Sequence, residues 1–212
     1  MDLLNFTQLL AIAGLLFALA AFARRLHWTS SLPFAAIDRS AARGEPWRGL
    51  LYAFTLGMMP WAKESTRRHM VAYVRGIVFH LGIFAALAAF VLSPWWTLAP
   101  EPLRWAVGAA SAVGAACGFA GDVMRRIERN LAAISTPDDH AAVLVVSAFL
   151  AATAAALFSA VWLPAMHVTA ALMLFYMPLG KIRHCIYFFF SRRFFGLFLG
   201  RRDVIHPAEA IK

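Results

Sequence analysis

Four histidines carry the chemistry that this chain could perform inside its apolar stretches. Two bound the run from His69 to His80, and two bound the run from His167 to His184. Hydrocarbon-spanning helices rarely hold ionisable side chains, and those they hold are usually functional. Neutral imidazole is the commonest protein ligand for metals and a usual axial ligand of haem iron. If the two runs form antiparallel helices, the first histidine of each faces the last histidine of the other. That gives two cross-helix pairs, His69 with His184 and His80 with His167. The expectation is that each pair grips the iron of one b-type haem, so that the chain carries two.

Helical geometry sets the terms of that expectation. Eleven residues separate His69 from His80, which brings the second back to the face of the first within about 20° after a climb of roughly 16 Å. Seventeen separate His167 from His184, a climb of roughly 25 Å, and a straight helix would set them about 100° apart. Pro178 lies between them, removes a backbone hydrogen bond and can change that register by a kink. Met166 is nearly in phase with His184 and is the reserve ligand.

Composition dictates where such helices live. Of 212 residues 61% are hydrophobic and only 15% charged, more apolar surface than a soluble domain of this size can bury, so the chain reads as one polytopic membrane domain over 1–212. Seventeen of the twenty basic residues are arginine. Their excess reads as a topology signal rather than a nucleic-acid footprint. Cys117 and Cys185 are the only cysteines and no Cys-x-x-Cys-His run occurs, so haem is not attached covalently through that motif and no cluster of cysteines can hold iron–sulfur or structural zinc. Any iron–sulfur centre must sit on a partner. The first apolar run lacks a basic leader and is long enough to span, so it reads as a retained anchor.

Five spans of about 20 residues follow, each enough for a hydrocarbon core of roughly 30 Å. They are expected over 4–23, ending at Arg24-Arg25; 68–92, ending at Ser93-Pro94; 102–122, with Pro102 in the first turn; 140–163, ending before Pro164; and from 165 through His184. The fourth opens with Ser135 to Asp139, a hydroxyl cap followed by proline and acids on the positive end of the helix dipole. The loop 24–68, the stretch Arg125 to Arg129 and the tail 185–212 hold most of the arginines, whereas the opposite side offers Arg104. By the positive-inside rule the N-terminus lies outside and the C-terminus in the cytoplasm, with Trp95, Trp96, Trp105 and Trp162 as an outer aromatic belt. The fold class is therefore an all-α membrane protein, a five-helix transmembrane bundle. Within the loop, Trp47 to Met59 is apolar but too short to span and reads as an interfacial helix or re-entrant cover. The Phe- and Arg-rich tail either lies on the membrane surface or packs against a soluble partner.

The remaining polar residues divide by position. His27, His140 and His206 fall in or beside loops and read as solvated. Arg75, between the two histidines of the second span, needs an anionic partner, a role that a haem propionate would fill. Gly76 and Gly82 either leave room for a flat macrocycle or pack against another helix. Lys181 and Arg183 read as propionate partners or positive-inside anchors. Asp122 closes the third span and is expected to pair with nearby arginines. No nucleophile–base pairing, carboxylate metal cluster or phosphate loop is present, so the chain by itself does not read as hydrolytic or nucleotide-binding.

Taken together, five helices with N-out topology, histidine pairs on the second and fifth, and Pro178 six residues before His184 ahead of an Arg-rich tail resemble the gamma subunit of respiratory nitrate reductase. Similar membrane subunits occur in heterodisulfide reductases and dissimilatory sulfite-reduction complexes. The resemblance implies two stacked b haems, the inner on His69 and His184 near the cytoplasm and the outer on His80 and His167. It implies quinone exchange near the outer haem and electron passage to a cytoplasmic iron–sulfur subunit, in a bacterial-type inner membrane. The histidine spacings differ by one residue from that subunit's. No lysine occurs between 64 and 180 to match its quinone-site lysine, which leaves Arg104, Glu101 or Trp95 as substitutes.

Three functions compete on these residues. The first is an electron-transfer subunit of a quinol or quinone oxidoreductase complex, working with lipid, quinone and an iron–sulfur partner and with no nucleic acid. The second is a haem-free transporter or proton channel using the same intramembrane residues. The third is a haem-free anchor for a soluble enzyme, which leaves His80 without a task.

Overall fold

The computed structural model describes residues 2–32, 41–62 and 64–204. Among these the chain is helical throughout, without a strand: α1 (Leu3–Ser31), α2 (Pro46–Phe54), α3 (Glu64–Arg68), α4 (Met70–Leu92), α5 (Glu101–Ile127), α6 (Arg129–Ile134), α7 (Pro137–Phe158), α8 (Leu163–Tyr176) and α9 (His184–Arg201), joined in part by short 3-10 turns. Four helices are long and apolar enough to cross a membrane: α1, α4 with its 3-10 extension to Leu98, α5 and α7. A fifth exists if the broken pair 160–176 and 181–201 counts as one span.

Two expected boundaries move for physical reasons. The helix α1 does not stop at Arg24-Arg25 but continues to Ser31. Arginine ends a hydrophobic run, yet it is a good helix former, and no breaker intervenes before Pro33. Conversely, the fifth span does not run unbroken through His184. α8 ends at Tyr176, the backbone turns through Met177 to Gly180, and a short 3-10 turn over Lys181–Arg183 leads into α9. Proline lacks the N–H that would extend the ladder, and Leu179 and Gly180 both donate their N–H groups to the Tyr176 carbonyl, at 2.9 Å each. The Phe- and Arg-rich tail is consequently a helix, α9. Arg39, Lys63, His206 and Lys212 lie outside the described residues.

The chain forms two compact units, one of 1–21 with 74–182 and one of 22–73 with 183–212. In the first, small residues let helices approach closely. Gly108, Ser111, Ala115, Gly118 and Asp122 recur at three- and four-residue spacing along the buried face of α5, the stripe expected where helices must pack without a hydrophobic drive between them. Gly82 of α4 meets Gly114 of α5: a Cβ at Gly82 would stand 2.7 Å from the Gly114 Cα. Phe149, Leu150 and Thr153 of α7 and Met166, Ala170 and Met173 of α8 are fully buried in the same core, and Phe90 meets Phe149 edge-on. Replacing Gly82 with valine therefore forces α4 and α5 apart. The expected cost is about 1–3 kcal/mol, read as a lower midpoint of thermal unfolding in detergent.

In the second unit α2 crosses α9. A Cβ at Gly196 would stand 2.7 Å from the Leu50 Cα and 2.8 Å from the Gly49 carbonyl oxygen, so the two backbones touch. The N–H groups of Arg43 and Gly44 donate to the Arg201 carbonyl at 2.8 and 3.3 Å, supplying a partner to the end of α9 where helical carbonyls lack one. Phe54 packs between Phe188 and Phe189, Arg25 donates to the Tyr187 hydroxyl at 3.3 Å, and the Tyr73 hydroxyl donates to the Met58 carbonyl at 2.5 Å. The apolar segment from Trp47 is thus helical as far as Phe54, and its small-residue face is covered.

Candidate functional site

The unit boundaries run between the expected ligand pairs: His80 and His167 belong to the first unit, His69 and His184 to the second. His80 sits on the exposed side of α4. Its Nδ1 lies 2.7 Å from the Gly76 carbonyl oxygen one turn earlier. A carbonyl can only accept, so Nδ1 carries a proton, and in the neutral ring the lone pair is on Nε2. Metal-bound histidines commonly donate their other N–H in this way, which fixes tautomer and ring orientation. Beside it, a Cβ built on Gly76 would meet nothing within 4 Å. The two glycines of this helix therefore part ways, since Gly82 is closed by helix packing and Gly76 is open.

His167, in the second turn of α8, is buried to 4% exposure, and its Nδ1 has no hydrogen-bond partner among the described residues. A buried polar atom left without a partner costs about 1–3 kcal/mol. The ring packs edge-on against Phe90, with centroids 6.5 Å apart. Phe90 stands ten residues beyond His80 on α4, roughly 15 Å along the axis. His167 is therefore level with Phe90 rather than with His80. Met166, the reserve ligand, is packed in the core at 2% exposure.

His69 occupies the turn between α3 and α4, and His184 is the first residue of α9. Both are exposed. Arg75 is half-buried against α5. Its Nη1 contacts the Met124 sulfur, and a Cβ at Gly121 would lie 3.5 Å from its Nε. Among the described residues no carboxylate pairs with it. No group of three or more His, Cys, Asp and Glu side chains suited to a metal ion occurs among the described residues; a two-histidine haem site needs none.

One cluster escaped the reading of the sequence. His140 is not a solvated loop residue: it lies in the first turn of α7, and its Nδ1–H donates to Asp122 Oδ1 at 2.6 Å. Asp122, 4% exposed, also accepts from Arg126 Nε at 2.9 Å. The Asp122–Arg126 half was legible as a helical i,i+4 pair; His140 comes from another helix and left no local signal. Next to it, Asp139 Oδ2 accepts from the Thr136 N–H and hydroxyl, as expected of the capped start of α7, and from Lys181 Nζ at 2.6 Å. Tyr176 donates its hydroxyl to the Asp138 carbonyl at 3.1 Å and also contacts that residue's carboxylate. Lys181 is thereby engaged by Asp139. These bonds pin the end of α8 to the start of α7. Replacing Asp122 with alanine leaves His140 without its acceptor in a half-buried place, and the expected loss is about 1–3 kcal/mol of stability, measured by thermal unfolding. Arg126 contributes little of it, because its side chain is 55% exposed and exposed pairs are worth little.

No family model matches this chain, and neither a curated protein nor a solved structure matches it.

Proposed function

We propose that the chain is a di-haem cytochrome b membrane subunit that passes electrons between the quinone pool and a cytoplasmic iron–sulfur subunit. The observation that carries this reading is the condition of two imidazoles. His167 is buried with a nitrogen that nothing among the described residues satisfies, and His80 has its Nδ1 committed to Gly76 beside an open space. Taken singly, each suits an axial ligand. The resemblance to the nitrate reductase gamma subunit and its relatives adds the assignment of an inner haem to His69 and His184 and an outer haem to His80 and His167. Seating one iron between His80 and His167 requires the axial offset marked by Phe90 to close.

Within this reading the chain's own groups have separate tasks. The Gly76 carbonyl orients His80. Arg75, charged and without a carboxylate among the described residues, supplies a counter-charge for a haem propionate. The apolar core lowers the dielectric around His167, the one buried imidazole of the four. When bound, a b-type haem supplies one-electron redox chemistry, and ligands, burial and nearby charge tune its potential. Orientation follows the arginines, with the N-terminus outside and the C-terminus in the cytoplasm of a bacterial-type inner membrane. The test is the reduced-minus-oxidised visible spectrum of the purified chain, with haem counted by pyridine haemochrome. Two b-type haems per chain are expected, and the absence of a reducible b-type band would overturn the reading.

The break between α8 and α9 favours one other function, a transporter or proton channel, because interrupted helices recur at the substrate sites of transporters. Ion or proton flux through haem-free liposomes containing the chain is the result that would install it instead.

A further inference from the structure

The charge of the chain is divided between its two units, and the division has a chemical consequence. Among the described residues the first unit holds six basic and six acidic side chains, and so carries no net charge. The second unit holds eleven arginines against Glu45, Glu64 and Asp203. Among the described residues the whole basic excess therefore lies on one unit, made of α2, α3, α9 and the adjoining ends of α1 and α4.

Topology alone asks for basic residues in such a place. It does not ask for the aromatic surface that accompanies them. Trp28, Trp47, Trp61 and Phe189 are all more than half exposed, on α1, α2, the turn before α3 and α9. Three of the arginines lie over aromatic rings of the same unit. Arg48 lies over the Trp47 ring at 5.7 Å, Arg192 over Phe188 at 5.7 Å and Arg202 over Phe198 at 3.7 Å. The Gly49–Gly196–Gly200 crossing closes one face of α2 and one of α9, which leaves Trp47, Arg48, Phe189 and Arg193 on exposed faces. Exposed tryptophan and phenylalanine prefer the headgroup boundary, where one part of the ring is apolar and the rest wet. Arginine among them matches phosphate in charge and in bidentate geometry. A soluble acidic partner would also engage tryptophan and arginine; the membrane-length helices that run into this unit, α1 and α4, place its rings next to the bilayer and favour the headgroup as the occupant.

We propose that the second unit, built on α2 and α9, is a binding surface for anionic phospholipid headgroups. The crossed helices lie at the headgroup boundary with their aromatic rings in it and their arginines on the lipid phosphates. The inference does not rest on haem, so the two readings stand or fall apart.

The test uses the full chain in detergent with an equimolar mixture of phosphatidylglycerol and phosphatidylcholine, and counts retained lipids by native mass spectrometry. The expected result is preferential retention of phosphatidylglycerol. The triple substitution Arg48→Gln, Arg192→Gln and Arg193→Gln should lower the preference about fivefold per arginine removed, while the matching Arg→Lys triple should keep most of it. Far-ultraviolet circular dichroism establishes that each variant keeps its helices; if the glutamine triple does not fold, Trp47→Ala with Arg48→Gln serves instead. Equal retention of both lipids by the native chain overturns the proposal. So does an unchanged preference in the folded glutamine triple, or competition of the retained lipid by inorganic phosphate alone. Loss of a co-purifying acidic protein with lipid preference intact would assign the surface to that partner and also overturn it.

Discussion

Replacing His80 with alanine is expected to lower the haem content of the purified chain from two per chain to one, and replacing His167 to do the same. The decisive experiment joins them. If the two imidazoles hold one iron between them, the double variant also keeps one haem, because each single change has already emptied the same site. If they serve different haems, the double variant keeps none. The outcome matters because the ring of His167 packs level with Phe90, about 15 Å beyond His80 along α4. Neither substitution should unfold the chain. His80 is on the exposed side of its helix, and loss of its ring frees one carbonyl at Gly76. Removing the His167 ring also removes a buried, unsatisfied nitrogen, which offsets part of the cavity it leaves. Haem lost without a change in helical content therefore reports ligation rather than folding.

The second large effect is expected from Gly180→Val. A Cβ at this position would fall on the Tyr176 ring, within 2.6 Å of its Cε2 and 2.5 Å of its hydroxyl oxygen. An aromatic ring fixed by its hydroxyl cannot yield by tenths of an ångström, so Tyr176 must swing out and abandon Asp138. The substitution combines overpacking, about 1–3 kcal/mol, with a lost hydrogen bond of about 1 kcal/mol. The break that Tyr176 pins leads within four residues to His184. Gly180→Val should accordingly lower the unfolding midpoint and reduce occupancy of the haem assigned to His184. Tyr176→Phe, which keeps the ring and drops the hydroxyl, should show the smaller stability loss alone. Equal midpoints for Gly180→Val and the native chain would mean that the turn is free to rearrange.

Much of this protein is written in local sequence. Runs of apolar residues marked the rough position of four membrane-length helices, and of a fifth segment that the structure breaks in two, since length and hydropathy are properties of a segment and require no partner. The capped start of α7 was visible in Thr136, Pro137 and Asp139 for the same reason: its bonds close within four residues. Charge counting located the basic surfaces. The four histidines stood out because ionisable groups beside or within apolar runs are rare.

Other features depended on what comes close in space. Whether Arg24-Arg25 would end α1 was undecided by hydropathy, because apolarity and helicity are separate properties. Pro178 announced a break, but its shape rests on Tyr176 and Lys181 reaching Asp138 and Asp139, some forty residues away in sequence. His140 looked like a loop residue until α5 brought Asp122 beside it. Gly76 and Gly82 are indistinguishable in sequence, and only the neighbours of α4 make one a packed crossing and the other an open place. Composition and spacing determined that this is a helical chain with membrane-length spans and an unusual set of histidines. The tertiary structure alone decided which of those histidines is buried, which is tied to its own backbone and which glycine leaves room, because burial and contact belong to pairs of segments rather than to either one.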